Sequence, residues 1–141
     1  MKTVIDASDS VVGRVASNVA KRLLKGETIF VVNAEKAVFT GTKKVLLKKF
    51  EVRYGLASKA NPEKGPKFYR MPDRIVKIAI RGMLPLQKNT GRNALKNLRV
   101  YIGVPAELSG LKAEKIKDAE NRREKGFISV GYISKGLGAK W

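Results

Sequence analysis

The residues best placed to do chemistry are cations. Arg74, Lys77 and Arg81 recur every three to four residues, so on a helix all three fall on one narrow stripe. Arg92, Lys96 and Arg99 repeat the pattern, and Lys88 stands between the two sets. Lys44, Lys48 and Lys49 form a third group, while Lys59, Lys64, Lys67 and Arg70 lie in a stretch with no period at all. Between Asp73 and Glu107 there is no acidic residue. Fixed positive charges in rows, with no acid to neutralise them, suit the binding of a polyanion. Charge runs are ordinarily solvated helix faces. Here the stripes recur on several elements, acids are nearly absent between them, and the segment joining them is basic too.

Carboxylates offer the competing chemistry. Asp6 and Asp9 follow the first apolar run and Glu35 follows the second, so the three could meet at the carboxyl edge of a sheet. Metal-dependent nuclease chemistry needs such a convergence. The blander assignments are a turn for Asp6, a helix cap for Asp9 and a solvated turn for Glu35. A nucleotide-binding enzyme fits less well. Gly41-Thr42-Lys43 echoes the end of a phosphate loop, but Lys36 occupies the place of its first glycine. With no cysteine and no histidine, the chain has no disulfide, no thiolate nucleophile, no Cys/His zinc site and no Ser-His-Asp triad. No cofactor is implied.

The elements that must carry these residues are legible in turn. Thr3–Ala7 reads as a short strand, with Asp9 and Ser10 as capping residues for a helix over about 12–25. Its core stripe is Val12, Val15, Ala16, Val19, Ala20, Leu23 and Leu24, stopped by Gly26. Thr28–Val32 is an apolar run that suits a strand buried on both faces. After a brief turn, Ala37–Phe39 is a third strand, and so short a connection favours antiparallel pairing. A helix over about 43–54 presents Leu46, Leu47, Phe50 and Tyr54 to a core, opposite its lysines. Gly55–Arg70 is a long basic loop in which Phe68 and Tyr69 either interleave with cations for nucleic acid or anchor the loop on the core.

Pro72 opens the next helix and Pro85 ends it. Ile75, Val76, Ala79, Ile80, Gly82 and Met83 lie opposite its cationic stripe. A short helix from Gly91 and a strand over Arg99–Gly103 complete the central region. Ala106–Gly110 reads as one capped turn, and Leu111–Gly126 is polar all round. Phe127–Trp141 ends apolar, which predicts docking on the domain or a neighbour. Strands alternating with helices give an α/β fold, and two-sided apolar strands predict three-layer α/β/α packing.

A single domain with a peripheral extension fits 141 residues, with residues 1–105 as core and 106–141 as extension. A net charge of +18 predicts nucleic acid. Residues 36–105 hold seventeen basic and three acidic residues, so the middle carries the footprint. RNA is favoured over DNA, because no DNA-reading motif appears and cations on loops suit folded RNA. No apolar run reaches transmembrane length and no signal-peptide pattern opens the chain, so it reads as cytoplasmic.

The run Ala79-Ile80-Arg81-Gly82-Met83-Leu84-Pro85, then Gly91-Arg92, Ala94-Leu95-Lys96, Leu98, Val100-Tyr101 and Gly103, closely resembles the signature of the universal large-subunit ribosomal protein thirteen family. Asp6-Ala7 with Gly13-Arg14 and Ala16-Ser17 resembles its first block, and Val31 to Lys36 followed by Thr40-Gly41 its second. The resemblance spans about Thr3 to Pro105. The start at the first strand and the extension after Pro105 look like the archaeal branch.

The resemblance implies a mostly parallel four-stranded sheet with helices on both sides, against the antiparallel third strand expected above. It implies a non-catalytic constituent of the large subunit, not a homo-oligomer, that binds large-subunit rRNA during assembly beside neighbouring ribosomal proteins. Carried over residue by residue, Arg81, Gly82, Met83, Pro85, Gly91 and Arg92 belong to the signature. Arg81, Lys88, Arg92 and Lys96 are the expected phosphate contacts. Gly82 is read as allowing close helix packing, Met83 as core filling and Pro85 as a helix stop.

Overall fold

A computed structural model describes residues 2–141. Three strands form a parallel sheet in the order β1 (Lys2–Asp6), β2 (Thr28–Val32), β4 (Leu98–Val100). Ile5 pairs with Val31, and Ile29 with Leu98. Between β1 and β2 the chain runs through α1 (Val12–Leu24), the crossover a parallel pair requires. Gly26, at φ 92°, takes the left-handed turn that lets the chain drop from α1 back into the sheet.

Alternation along β2 sends its side chains to two different cores. Ile29 and Val31 join Ile5, Leu98 and the buried faces of α1, α3 (Pro72–Arg81) and α4 (Asn89–Lys96). On the opposite face Val32 packs with Val4 and Leu108, flanked by Phe30 and Tyr101. Leu108 comes from a single 3-10 turn, Ala106–Leu108. Helices therefore cover one face of this sheet, and the expected three-layer packing is corrected: among the described residues the second face has only a thin cover.

The expected four-stranded parallel sheet is not formed either. β3 (Val38–Thr40) leaves the sheet through Asn33, held at φ 56°, and the turn Ala34–Lys36. It pairs antiparallel with β5 (Phe127–Ser129), Phe39 opposite Ile128, as a separate two-stranded sheet. The antiparallel sense expected from the short connection is thus present, but with a distant strand.

The extension lies back along the domain. Glu114 donates its amide to the Val4 carbonyl (2.8 Å) and accepts from the Asp6 amide (3.0 Å). Its carboxylate meets the Arg22 guanidinium at 3.0 Å. Ala119 is fully buried, its carbonyl accepting from the Val11 amide at 2.7 Å. After β5, helix α5 (Val130–Gly136) buries Val130 and Ile133.

Helix α2 (Lys43–Tyr54) has the predicted bounds but a weaker seat. Leu46, Leu47 and Phe50 are half-buried and Tyr54 is exposed. Leu24 and Met83, expected in the core, are also exposed. Asp9 and Ser10 do not cap α1: Val11 stands at its start and makes no side-chain cap bond.

Candidate nucleic-acid interface

Two helices and a strand put the cations in one place. Pro72 starts α3 where a missing amide hydrogen costs nothing, and Ile75, Val76 and Ile80 fix its inner face. Arg74, Lys77 and Arg81 are left pointing to solvent, as the periodicity required. The chain turns at Leu84–Leu86 and enters α4, whose buried positions are Gly91 and Ala94. A methyl group on Gly91 would lie 2.5 Å from the Pro85 carbonyl carbon, nearer still to its oxygen, and 3.1 Å from the Leu86 nitrogen. Glycine is what lets α4 sit on that turn. Gly82, by contrast, meets nothing closer than 3.6 Å, so the close approach assigned to it belongs to Gly91.

The result is a groove of about 900 Å³ between α3, α4 and β4. Six of the predicted residues line it: Arg74, Lys77 and Arg81 from α3, and Arg92, Lys96 and Arg99 from the other wall. Arg92 is pre-aimed, its Nε donating to the Leu86 carbonyl at 3.0 Å. The Arg74 guanidinium lies 4.9 Å over the Tyr69 ring. One acid, Asp73, also lines the groove. Its Oδ1 is buried and accepts no hydrogen bond.

Arg70 lies in an adjoining hollow of about 430 Å³, stacked 5.4 Å over the Tyr54 ring. Lys88 immediately precedes α4, exposed and outside the groove lining. Lys59, Lys64 and Lys67 are exposed on the basic loop and are not brought to the groove. Lys44 and Lys48 are exposed on α2, a separate surface, and Lys49, also exposed, borders a small apolar cavity beside that helix. The anchoring expected of the loop rings is present in part. Phe68 and Tyr69 border a small apolar cavity with Phe50 and Ile75, which anchors them, yet 36% and 41% of their surfaces stay exposed.

The loop's exit is pinned by the extension. Ser134, fully buried on α5, donates its hydroxyl to the Arg70 carbonyl and accepts from the Trp141 indole nitrogen at 3.0 Å. Nothing in the sequence marked Ser134 for this role. Tyr101 and Asp73 were also missed as groove residues. The one available signal was that Tyr101 directly follows a strand whose neighbour Arg99 faces out.

The three carboxylates are occupied elsewhere. Asp6 Oδ1 accepts from the Ser8 amide (2.9 Å), the Ser8 hydroxyl (2.6 Å) and the Asn33 amide group (2.9 Å). Burial pushes its carboxyl up. The hydrogen bonds from Ser8 and Asn33, with the charge of Lys115, outweigh that and leave it below the ordinary aspartate value. Glu35 Oε2 accepts from the Gly103 amide at 2.9 Å, tying the turn after β2 to the end of β4. Asp9 is exposed at φ 51° and joins the chain through backbone bonds to Lys36 and Asn121. Among the described residues no three acids converge as metal ligands, so the nuclease reading has no site. No helix among them is long and apolar enough to cross a membrane.

A family model described as Ribosomal protein L13 matches residues 1–107. A protein of Archaeoglobus fulgidus named "Large ribosomal subunit protein uL13" is 48% identical over 140 residues, spanning 96% of this chain and 87% of its own. Proteins of the same name are 43% identical in Methanosphaera stadtmanae, over the whole of both chains, and 45% identical in Methanosarcina barkeri, over 99% of each. The signature resemblance, the groove built on it and these matches agree: this chain belongs to the ribosomal protein L13 family.

Proposed function

We propose that this protein is a non-catalytic constituent of the large ribosomal subunit, in one copy, that binds large-subunit rRNA through the α3–α4 groove. The observation that carries the reading is the groove itself: six cations and one acid line its two walls. Arg74, Lys77, Arg81, Arg92, Lys96 and Arg99 neutralise phosphates there, and Lys88 extends the track at its rim. The loop residues Lys59, Lys64, Lys67 and Arg70 reach between RNA segments that converge on the domain. Lys44, Lys48 and Lys49 on α2 hold a further segment. Residues 1–105 supply the RNA-binding core, and 106–141 brace it and face neighbouring ribosomal proteins. The mechanism is charge neutralisation by a rigid scaffold, which lets RNA strands approach one another.

The test is the salt dependence of binding between the full chain and deproteinised large-subunit rRNA. The six groove contacts contribute about −4 to −5 to the log–log slope, and the cations of the loop and α2 add to it. Arg81→Ala lowers that slope by about 0.7–0.9 and leaves thermal unfolding unchanged. Arg81 is a cleaner probe than Arg92, because Arg92→Ala also breaks the bond to Leu86. An unchanged slope, or equal losses of stability and affinity, would make Arg81 structural and overturn the assignment.

A further inference from the structure

We infer that the cleft between Tyr54, Phe68 and Tyr69 stacks unpaired bases of the RNA strand that enters the α3–α4 groove. The inference rests on the RNA-binding reading above and adds a second kind of contact, made by rings to bases rather than by cations to phosphates.

Single exposed apolar residues need no explanation, but a cluster of them rimmed by polar groups marks an interaction site. Tyr54 at the end of α2, with Phe68 and Tyr69 on the basic loop, each keep more than a third of their surface open. The three rings border two hollows at once, the one of about 430 Å³ and the apolar cavity of about 200 Å³. Phe50, its ring centroid 5.4 Å from that of Phe39, backs the smaller one. Two of the rings already carry a guanidinium, Arg70 over Tyr54 and Arg74 over Tyr69. Neighbouring rings and guanidinium planes are the surface on which single-stranded bases stack.

The rim identifies the occupant. Lys49, Arg53, Arg70 and Arg74 border the two hollows against one acid, Asp73. That balance suits a strand carrying phosphates. Tyr69 and Arg74 also line the α3–α4 groove, so the cleft continues the cationic track. A duplex covers its base faces by its own stacking, and only unpaired nucleotides offer them to a protein. The blander role for the rings is to anchor the loop, and Phe68 and Tyr69 do pack at the small cavity. Anchoring alone is served best by buried rings, and these three stay open.

The experiment separates the two roles. The full chain is titrated by fluorescence anisotropy with labelled hexauridylate and with an abasic ribose-phosphate hexamer of the same charge. Hexauridylate binds about tenfold tighter than the abasic hexamer. Tyr54→Leu and Tyr69→Leu keep apolar bulk but remove the ring; each narrows that gap, and the double variant closes it. With 5-bromouridine in the hexamer, irradiation crosslinks the parent chain at Tyr54, Phe68 or Tyr69, a readout that needs no variant. If the two hexamers bind the parent chain alike while salt-dependent rRNA binding persists, the stacking cleft is overturned and the RNA-binding reading stands. If rRNA itself is not bound, both fall. Variants that melt earlier yet keep the full gap, or crosslinks confined to other segments, would reduce the rings to anchors and overturn the proposal.

Discussion

Gly91→Ala is the sharpest perturbation of the groove, because two effects of opposite sign meet at one atom. In an open helix position, alanine stabilises relative to glycine by about 1 kcal/mol. Here the added methyl group lies 2.5 Å from the Pro85 carbonyl carbon, and carbon atoms normally rest about 3.5–4.0 Å apart. Something must move by about 1 Å. What it meets is backbone of the Pro85–Leu86 turn, so no flexible side chain can swing away. Overpacking of that kind costs roughly 2–3 kcal/mol, which leaves a net loss of about 1–2 kcal/mol. For a chain of this size that is a fall of about 3–8 °C in melting temperature. Gly82→Ala is the internal control. Gly82 has φ −62° and no neighbour nearer than 3.6 Å, so alanine there is neutral or stabilising by up to about 1 kcal/mol. Both are read by thermal and urea unfolding followed by circular dichroism. The displaced α4 also carries Arg92 and Lys96 away from Arg81, so rRNA affinity falls for Gly91→Ala and not for Gly82→Ala. If Gly91→Ala proved as stable as the parent, the close approach of α4 to the Pro85 turn would be refuted.

Two further outcomes test other parts of the structure. Ser134→Ala leaves the Arg70 carbonyl and the Trp141 indole without their shared partner, a loss of about 1–3 kcal/mol, and it speeds proteolysis in residues 55–70; unchanged cleavage would show that α5 does not hold the loop. Asp6→Asn probes pH: the carboxyl is lowered in the fold, so its contribution is fully present above the unfolded aspartate value of about 3.9 and is lost as pH falls through the folded value. The difference in urea midpoint between parent and variant is therefore flat near neutrality and closes below about pH 4, and a gap that widened on acidification would contradict the hydrogen-bonded carboxylate.

Local pattern made much of this molecule readable. Both limits of α2 and the start of α3 were visible because Pro72, Gly55 and the periodic residues beside them act within a turn or two, but α3 stops at Arg81, a turn before the Pro85 stop expected. The cationic walls were visible for the same reason, since Arg74, Lys77 and Arg81 share a face whatever the helix packs against. What stayed hidden depends on partners far along the chain. β3 was recognised as a strand, but its partner β5 lies almost ninety residues away and is brought there by the docking of α5. Leu46, Phe50 and Tyr54 looked like a core stripe, yet α2 lies at the margin and half-buries it. Which glycine is crowded, Gly82 or Gly91, is decided by where Pro85 folds back, and no local pattern encodes that.

The backbone pairing of Glu114 with Val4 and Asp6 has a consequence beyond docking. A sheet's outermost strand offers a row of unmet amides and carbonyls, a template on which another chain can grow. β1 is such a strand, and the extension takes up its outer side with a short parallel contact rather than with a strand of another molecule. At the other margin β4 is only three residues long and carries the exposed Arg99. Both flanks are thereby made poor templates for aggregation. A polycation that mixes with polyanions throughout its working life meets many neighbours before the right one, and a blunted sheet lets it do so without polymerising.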